Sequence, residues 1–325
     1  VVAGDAHGRD NLDLRTILII GNGMRKATAV AVILAALLAA CGGGEGGQPR
    51  IVVTTNILGD VVSTVAGDEA TVEVLIPAGA DPHEFQASSE QAARMARADL
   101  VVANGLGLEE GLLRVLSGLV SDGVSVLEVA PALDPIPVEH DHEDDGHDHG
   151  DLDPHFWMDP LRVADAARLV AAALEEVDPG KGWMERAEAY GALMESVHAE
   201  IEGLVGGVPE GSRLLVTNHA TLGYFADRYG WEVAGTVIPG GSSTGAPSSG
   251  DMAALVRMIR ERGIPAIFAD ATRNADVARA VAEEAGGVEV VELHTESLTG
   301  PDGPAPTLAD MLAHDARAIA GAMGG

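Results

Sequence analysis

The chain of 325 residues carries 20 Lys+Arg against 50 Asp+Glu, a formal net charge of −30. That excess excludes nucleic acid as a partner, because phosphate backbones are bound by clustered cations, and it disfavours docking on anionic lipid through a basic face. Hydrophobic residues make up 46% of the chain, too many for a disordered acidic polymer, and one cysteine excludes a disulfide framework, paired-cysteine zinc modules and a two-thiol redox motif.

Met24-Arg25-Lys26 precedes an apolar run from Ala27 to Ala40, too short to span a membrane and built like a secretory signal. Leu38-Ala39-Ala40-Cys41, followed by a Gly-rich stretch to Gly47, resembles a bacterial lipobox, whose cysteine is acylated and becomes the new N-terminus. On this reading residues 1–23 are a non-native extension upstream of the true start, 24–40 the lipoprotein signal peptide and 41–49 a tether, with Cys41 lipidated. The bland alternative makes Cys41 a small buried residue after a short core helix. Removing residues 1–40 leaves 16 basic and 47 acidic residues, net −31, so the acidity belongs to the exported body.

Short apolar runs then alternate with helical patterns. In an N-terminal lobe over 50–178, strands are expected near Ile51–Thr55, Thr71–Leu75, Leu100–Ala103 and Ser125–Glu128, and helices near Ile57–Ala66, Ser89–Arg97 and Glu109–Leu119. Leu161–Val205 is helical in pattern, broken once at Asp178-Pro179-Gly180, where the fixed φ of Pro179 suits a helix start. Lys181–Leu204 reads as one helix of roughly 35 Å, placed in a linking segment 179–205; it is a stiff spacer between lobes or an ordinary core helix of a larger domain. In a C-terminal lobe over 206–325, strands fit Arg213–Thr217, Glu232–Val237, Ala266–Ala269 and Val288–Glu292, and helices fit Thr221–Tyr229, Asp251–Arg262, Ala275–Ala285 and Thr307–Ala322. Such alternation argues for α/β layers with mostly parallel sheets. Pro135–Gly150 and Gly240–Gly250 lack any apolar period.

Asp81-Pro82-His83-Glu84-Phe85 recurs in altered form as Asp153-Pro154-His155-Phe156-Trp157, each with a histidine just after a proline that restricts the local backbone. His219 stands where an apolar strand gives way to a helix, the loop end at which α/β lobes hold ligands. Phe85, Phe156, Trp157, Tyr224 and Phe225 lie within six residues of these histidines, enough for a dry shell around a polar centre. Singly, each histidine reads more readily as structural than as metal-binding; together, spaced 72 and 64 residues apart, they point to one site assembled from both lobes. The run Glu139–His149 is different: His140, His142, His147 and His149 alternate with five carboxylates, a composition for weak, multiple capture of borderline cations such as Zn²⁺, or simply a solvated acidic loop.

These motifs, in this order over Pro49–Gly325, resemble the solute-binding lipoproteins of bacterial ABC transporters for zinc and manganese. The resemblance rests on Asn56-Ile57, Asp81-Pro82-His83, the acidic His-rich insertion, Asp153-Pro154-His155 with Trp157-Met158-Asp159-Pro160, Asn218-His219-Ala220 with Tyr224, Pro247-Ser248 and Phe268. It implies two parallel-sheet α/β lobes joined by a long rigid helix, with a metal site in the cleft. It also implies His83, His155 and His219 as ligands, with a carboxylate after the last strand as the fourth. That carboxylate is usually Asp; here the stretch reads Thr295-Glu296-Ser297, so Glu296 takes the place with one more methylene, while Asp270 is structural and His294 has no assigned part. Three imidazoles and one carboxylate suit tetrahedral Zn²⁺ as transported ligand over Mn²⁺. The expectation is therefore an exported, monomeric, lipid-anchored zinc-binding protein that meets the membrane only through its anchor and delivers the ion to an ABC permease. Two alternatives share the metal: a zinc hydrolase with Glu84 as base, against which stands the lack of a His-Glu-x-x-His pair, and a surface zinc buffer or adhesin on the same fold.

Overall fold

The computed structural model describes residues 47–138, 152–238 and 247–324. The expected extension 1–23, the signal segment 24–40, Cys41, the histidines of the 139–149 run and most of Gly240–Gly250 lie outside the described residues.

In chain order the elements are β1 (Arg50–Val53), α1 (Asn56–Ala66), β2 (Thr71–Val74), α2 (Ser89–Met95), β3 (Leu100–Ala103), α3 (Leu113–Ser121), β4 (Val126–Glu128), α4 (Pro160–Val177) and α5 (Trp183–Val205). There follow β5 (Leu214–Thr217), α6 (Gly223–Tyr229), β6 (Glu232–Thr236), α7 (Ser249–Arg262), β7 (Ala266–Asp270), α8 (Asp276–Glu284), β8 (Glu289–Leu293) and α9 (Leu308–Ala322). The strands form two four-stranded sheets, ordered β2-β1-β3-β4 and β6-β5-β7-β8, with every pairing parallel. β3, β5 and β7 are buried along their whole length, as strands covered on both faces must be, so they read as continuous apolar runs. In each sheet the winding reverses between two central strands, β1/β3 and β5/β7. At such a switch point the loops beyond the strand carboxyl ends splay apart and leave a crevice.

The helix starts follow from side-chain caps. Thr55 and Thr307 accept from Leu58 N and Asp310 N, while Ser88 and Ser248 close reciprocal capping boxes with Gln91 and Asp251. Two expectations fail locally. The helix expected over Glu109–Leu119 starts four residues late, after a short 3-10 turn at Glu110–Leu112. Glu109 is instead pulled beneath the sheet, where its buried carboxylate accepts from Thr54 Oγ1 at 2.6 Å and Asn104 N at 2.7 Å. Pro179 does not start a helix either. α4 stops at Val177, Gly180 and Gly182 turn the chain at φ 81° and 74°, and α5 begins at Trp183, whose indole Nε1 donates to Asp178 O at 2.8 Å.

α5, about 35 Å long at 1.5 Å per residue, packs against α4, α1 and α9. Trp183, Met194 and Ile201 of α5 are buried in a core that also takes in Val61 and Val65 of α1, Val170 of α4, Phe268 of β7 and Ile319 of α9. One apolar mass therefore runs beneath both sheets, and each sheet buries its other face in a smaller core of its own. Polar contacts reinforce the join: Tyr190 Oη donates to Asp60 at 2.7 Å and Arg186 Nε to Val65 O at 2.6 Å. Among the described residues, no helix is long and apolar enough to cross a membrane.

Asp315 on α9 is buried, with Oδ1 accepting from His294 N at 3.0 Å and Oδ2 without a hydrogen-bond partner. Burial pushes its carboxyl up to about 8, against the His294 bond and assisted by the charge of Asp270. The folded state thus keeps a proton that the unfolded chain loses near 3.8, and stability is expected to fall as pH rises from about 4 to about 8. Asp315→Asn keeps the acceptor and removes the charge. Urea denaturation at pH 5, 6.5 and 8 is expected to show the variant more stable than the parent by about 1–3 kcal/mol at pH 8, the gap narrowing towards pH 5.

Candidate metal centre

All four candidate ligands sit beyond strand carboxyl ends. His83 follows β2 and His155 follows β4 in one lobe; His219 lies two residues past β5 and Glu296 three past β8 in the other. The repeated Asp-Pro-His pattern acts through its aspartate as well as its proline. Asp81 Oδ1 accepts from His83 N at 2.8 Å, and Asp153 Oδ1 accepts from His155 N at 2.8 Å. Asp153 Oδ1 also lies 2.7 Å from the ring Nδ1 of His155, which turns Nε2 towards the crevice. Asn104 Nδ2 donates to Pro154 O at 3.0 Å, and Gly223 lets α6 approach, since a Cβ there would meet Asp153 Oδ2 at 2.5 Å.

In the opposite lobe, Thr217 Oγ1 and Thr221 N both donate to His219 O, at 2.6 and 2.9 Å, folding the histidine into a tight turn. This turn delays α6 to Gly223, two residues after the expected start. Glu296 is placed by Asp270, the last residue of β7. Its Oδ2 accepts from Thr295 N, Thr295 Oγ1 and Glu296 N at 2.9, 2.7 and 3.0 Å.

The four side chains converge. One ligand atom from each of His83, His155, His219 and Glu296 lies within 4.8 Å of all the others, and all four residues are buried. The ring centroids form a nearly equilateral triangle with sides of 5.7, 5.8 and 5.8 Å. Each Nε2 faces Glu296 Oε1, at 3.9 Å from His83, 3.1 Å from His155 and 3.0 Å from His219. Among the described residues nine buried side-chain polar atoms have no hydrogen-bond partner, and five of them belong to these four residues. Buried polar atoms are ordinarily satisfied, so His83 Nε2 and His155 Nε2, both facing Glu296, fit a cation that would coordinate them, whereas the two Nδ1 atoms lie on the other side of their rings.

Electrostatics agree with that donor set. Burial opposes charge on both His155 and Glu296. For His155 the carboxylates of Glu296 and Asp153 outweigh it and raise the imidazole to about 10. For Glu296 the charge on His155 and the three imidazole nitrogens turned towards it outweigh burial and hold the carboxyl well below its ordinary range. Without a cation, the centre thus favours charge on both His155 and Glu296, each shifted towards its ionised form by the other.

The aromatic shell is present in part. Phe156, Trp157, Tyr224 and Phe225 are buried, Trp157 packs edge-on against His155 at 5.3 Å, and Phe85 is only half-buried. Glu84 is exposed, lies 3.5 Å from Arg273 and is not among the four clustered groups. His294 turns out of the cluster, its ring 5.4 Å from that of His314. Sequence reasoning missed the orienting parts of Asp81 and Asp153, although their recurrence two residues before each histidine was the available signal. It also missed Glu110, whose Oε1 lies 3.7 Å from His83 Nδ1, and the holding role of Asp270; no local pattern marks either.

Residues 51–322 match the family described as ZnuA, zinc-uptake complex component A, periplasmic. The manganese-binding lipoprotein MntA of Halalkalibacterium halodurans is 30% identical over 294 residues, which span 88% of this chain and 94% of the relative. The zinc-binding protein TroA of Treponema pallidum is 28% identical over 286 residues, 85% of this chain and 89% of the relative. A solved structure of the Treponema pallidum protein matches with a TM-score of 0.76 at 27% identity, covering 86% of this chain and 100% of that one. With two four-stranded parallel sheets and a match over most of its length, this chain belongs to the ZnuA family of metal-binding solute-binding components, which work with ABC permeases and are not enzymes.

Proposed function

We propose that this chain captures Zn²⁺ outside the cytoplasmic membrane and hands it to an ABC permease, with His83, His155, His219 and Glu296 as the four ligands. The observation that carries the reading is the convergence of three imidazoles and one carboxylate, all buried, on a single point. Three nitrogen donors and one oxygen favour a borderline cation in tetrahedral geometry over Mn²⁺, which prefers oxygen. A donor from each protein residue closes the coordination sphere and leaves no place for an activated water. The site draws its four ligands from one chain and so needs no second copy, in keeping with action as a monomer. Cys41 carries the lipid anchor once residues 24–40 are removed, with 41–49 as tether; Leu38-Ala39-Ala40-Cys41 and the lipoprotein names of relatives support this. The His140, His142, His147 and His149 run gathers cations weakly ahead of the buried site.

In a competition titration against a chromophoric chelator, the mature chain is expected to bind one Zn²⁺ tightly and Mn²⁺ at least about 100-fold more weakly. His219→Ala should weaken Zn²⁺ by about 100-fold or more, whereas deleting residues 139–149 should leave tight binding intact and remove only weak extra equivalents. Unchanged affinity in His219→Ala would refute the ligand set, and preference for Mn²⁺ would refute the zinc assignment.

Zn²⁺ needs the Nε2 lone pair of His155, which the metal-free centre keeps protonated at neutral pH. Each bound ion should therefore release about one proton at pH 7, and affinity should fall about tenfold per pH unit as acid restores it. Calorimetry in buffers of different ionisation enthalpy reads the proton count directly; a count of zero would contradict the assignment of His155.

A further inference from the structure

We propose that Arg273 is a latch that sets how long the captured cation is retained, acting on the ligand loops of both lobes without touching the ion. The inference rests on the ligand set just given.

Arg273 lies three residues beyond β7, in the lobe that supplies His219 and Glu296. Its guanidinium reaches across the crevice: Nη1 donates to Asp81 Oδ2 at 2.8 Å, and Nη2 lies 3.5 Å from Glu84 Oε1. The side chains of Arg273 and Asp81 are only 15% and 9% exposed, so this pair is far less screened than an ordinary surface ion pair. Asp81 divides its oxygens. Oδ2 takes Arg273, while Oδ1 holds the backbone N–H of His83.

Asp270 divides its oxygens in the same way on the other side. Its Oδ1 accepts from Thr272 N at 2.8 Å and from Thr272 Oγ1, fixing the turn that carries Arg273, while Oδ2 fixes Thr295 and Glu296. Backbone and side-chain contacts thus run Glu296–Asp270–Thr272–Arg273–Asp81–His83, and the cation between His83 and Glu296 closes the ring. While the ring is intact, an ion that loses one ligand still faces the others at short range and is recaptured. Opening it at Arg273 removes the charged tie between the His83 loop and the opposite lobe and leaves there the neutral bond from Gly79 N to Ser297 Oγ at 2.8 Å, so the loop is held more weakly. Arg228, 2.6 Å from Asp159, ties the lobes on the α4–α6 side and does not reach the His83 loop.

The test is a chelator chase on the mature chain loaded with one equivalent of Zn²⁺. Arg273→Gln is expected to raise the dissociation rate about tenfold or more while leaving the association rate within about threefold of the parent. Asp81→Asn should likewise raise the dissociation rate, the double variant should be no faster than either single one, and Arg273→Lys should recover part of the retention. Arg262→Gln, which breaks the ion pair with Glu232 on the outer edge of the C-terminal lobe, should leave the rate unchanged and controls for loss of a surface ion pair. Dissociation of Arg273→Gln within twofold of the parent overturns the latch, as does a double variant in which the two single effects multiply. A parent chain that takes up no Zn²⁺ overturns the ligand set and the latch together; normal uptake with unchanged release overturns the latch alone.

Discussion

A carboxylate taken wholly out of water has to be neutralised where it stands, and Glu296 imposes that requirement on the rest of the molecule. The imidazoles around it answer the need in two ways. Without metal, His155 carries the compensating proton, held there by Asp153 behind the ring. In the proposed loaded state, the ion would supply the charge and the proton would leave. Both states are compatible with a dry centre, so the protein can be empty without burying an uncompensated charge, a cost that would otherwise run to several kcal/mol.

Neutralisation demands convergence, and convergence is a property of the two sheets. Each offers loops at a point where its winding reverses, and the crevices of the two sheets face each other. The loops have no regular hydrogen bonding of their own, so aspartates supply it. Asp81 and Asp153 pin the backbone N–H of the two histidines in one lobe, and Asp270 pins the Glu296 loop in the other. Many of the chain's carboxylates are a solvated exterior, but these three are internal struts.

Much of this was legible in the sequence, for identifiable reasons. Buried parallel strands read as short apolar runs between turn residues, and Leu100–Ala103 coincides with β3 to the residue. Helix starts were legible where Ser or Thr supplied a cap, as at Thr307. They were misread where burial of a single group overruled the pattern, as with Glu109 drawn under the sheet or Trp183 anchored to the turn before it. The histidines stood out because Asp-Pro-His occurs twice; Glu296 was reached only through likeness to a family whose usual residue is one methylene shorter. Asp270 was read as structural without its partner and Arg273 left no trace, since their partners lie 25 and 192 residues away and neither contact has a local period. Donor chemistry narrows the cargo, but relatives bearing manganese and zinc in their names show that shared descent alone does not choose it.

The apolar mass beneath both sheets has a mechanical consequence. α1, α4, α5 and α9 bury their inner faces in one continuous core, so swinging the lobes apart as rigid bodies would tear apolar surface out of it at about 25 cal/mol per Å², or about 5 kcal/mol for every 200 Å² exposed. On the His83 side the crevice rim is fastened by polar contacts on short loops, Arg273 to Asp81 and Gly79 N to Ser297 Oγ, whereas on the His155 side Phe156 and Trp157 share the core with Tyr224 and Phe225. Flexing is therefore easiest at the His83 rim, and under the proposed latch unloading would amount to undoing a clasp on a stiff frame.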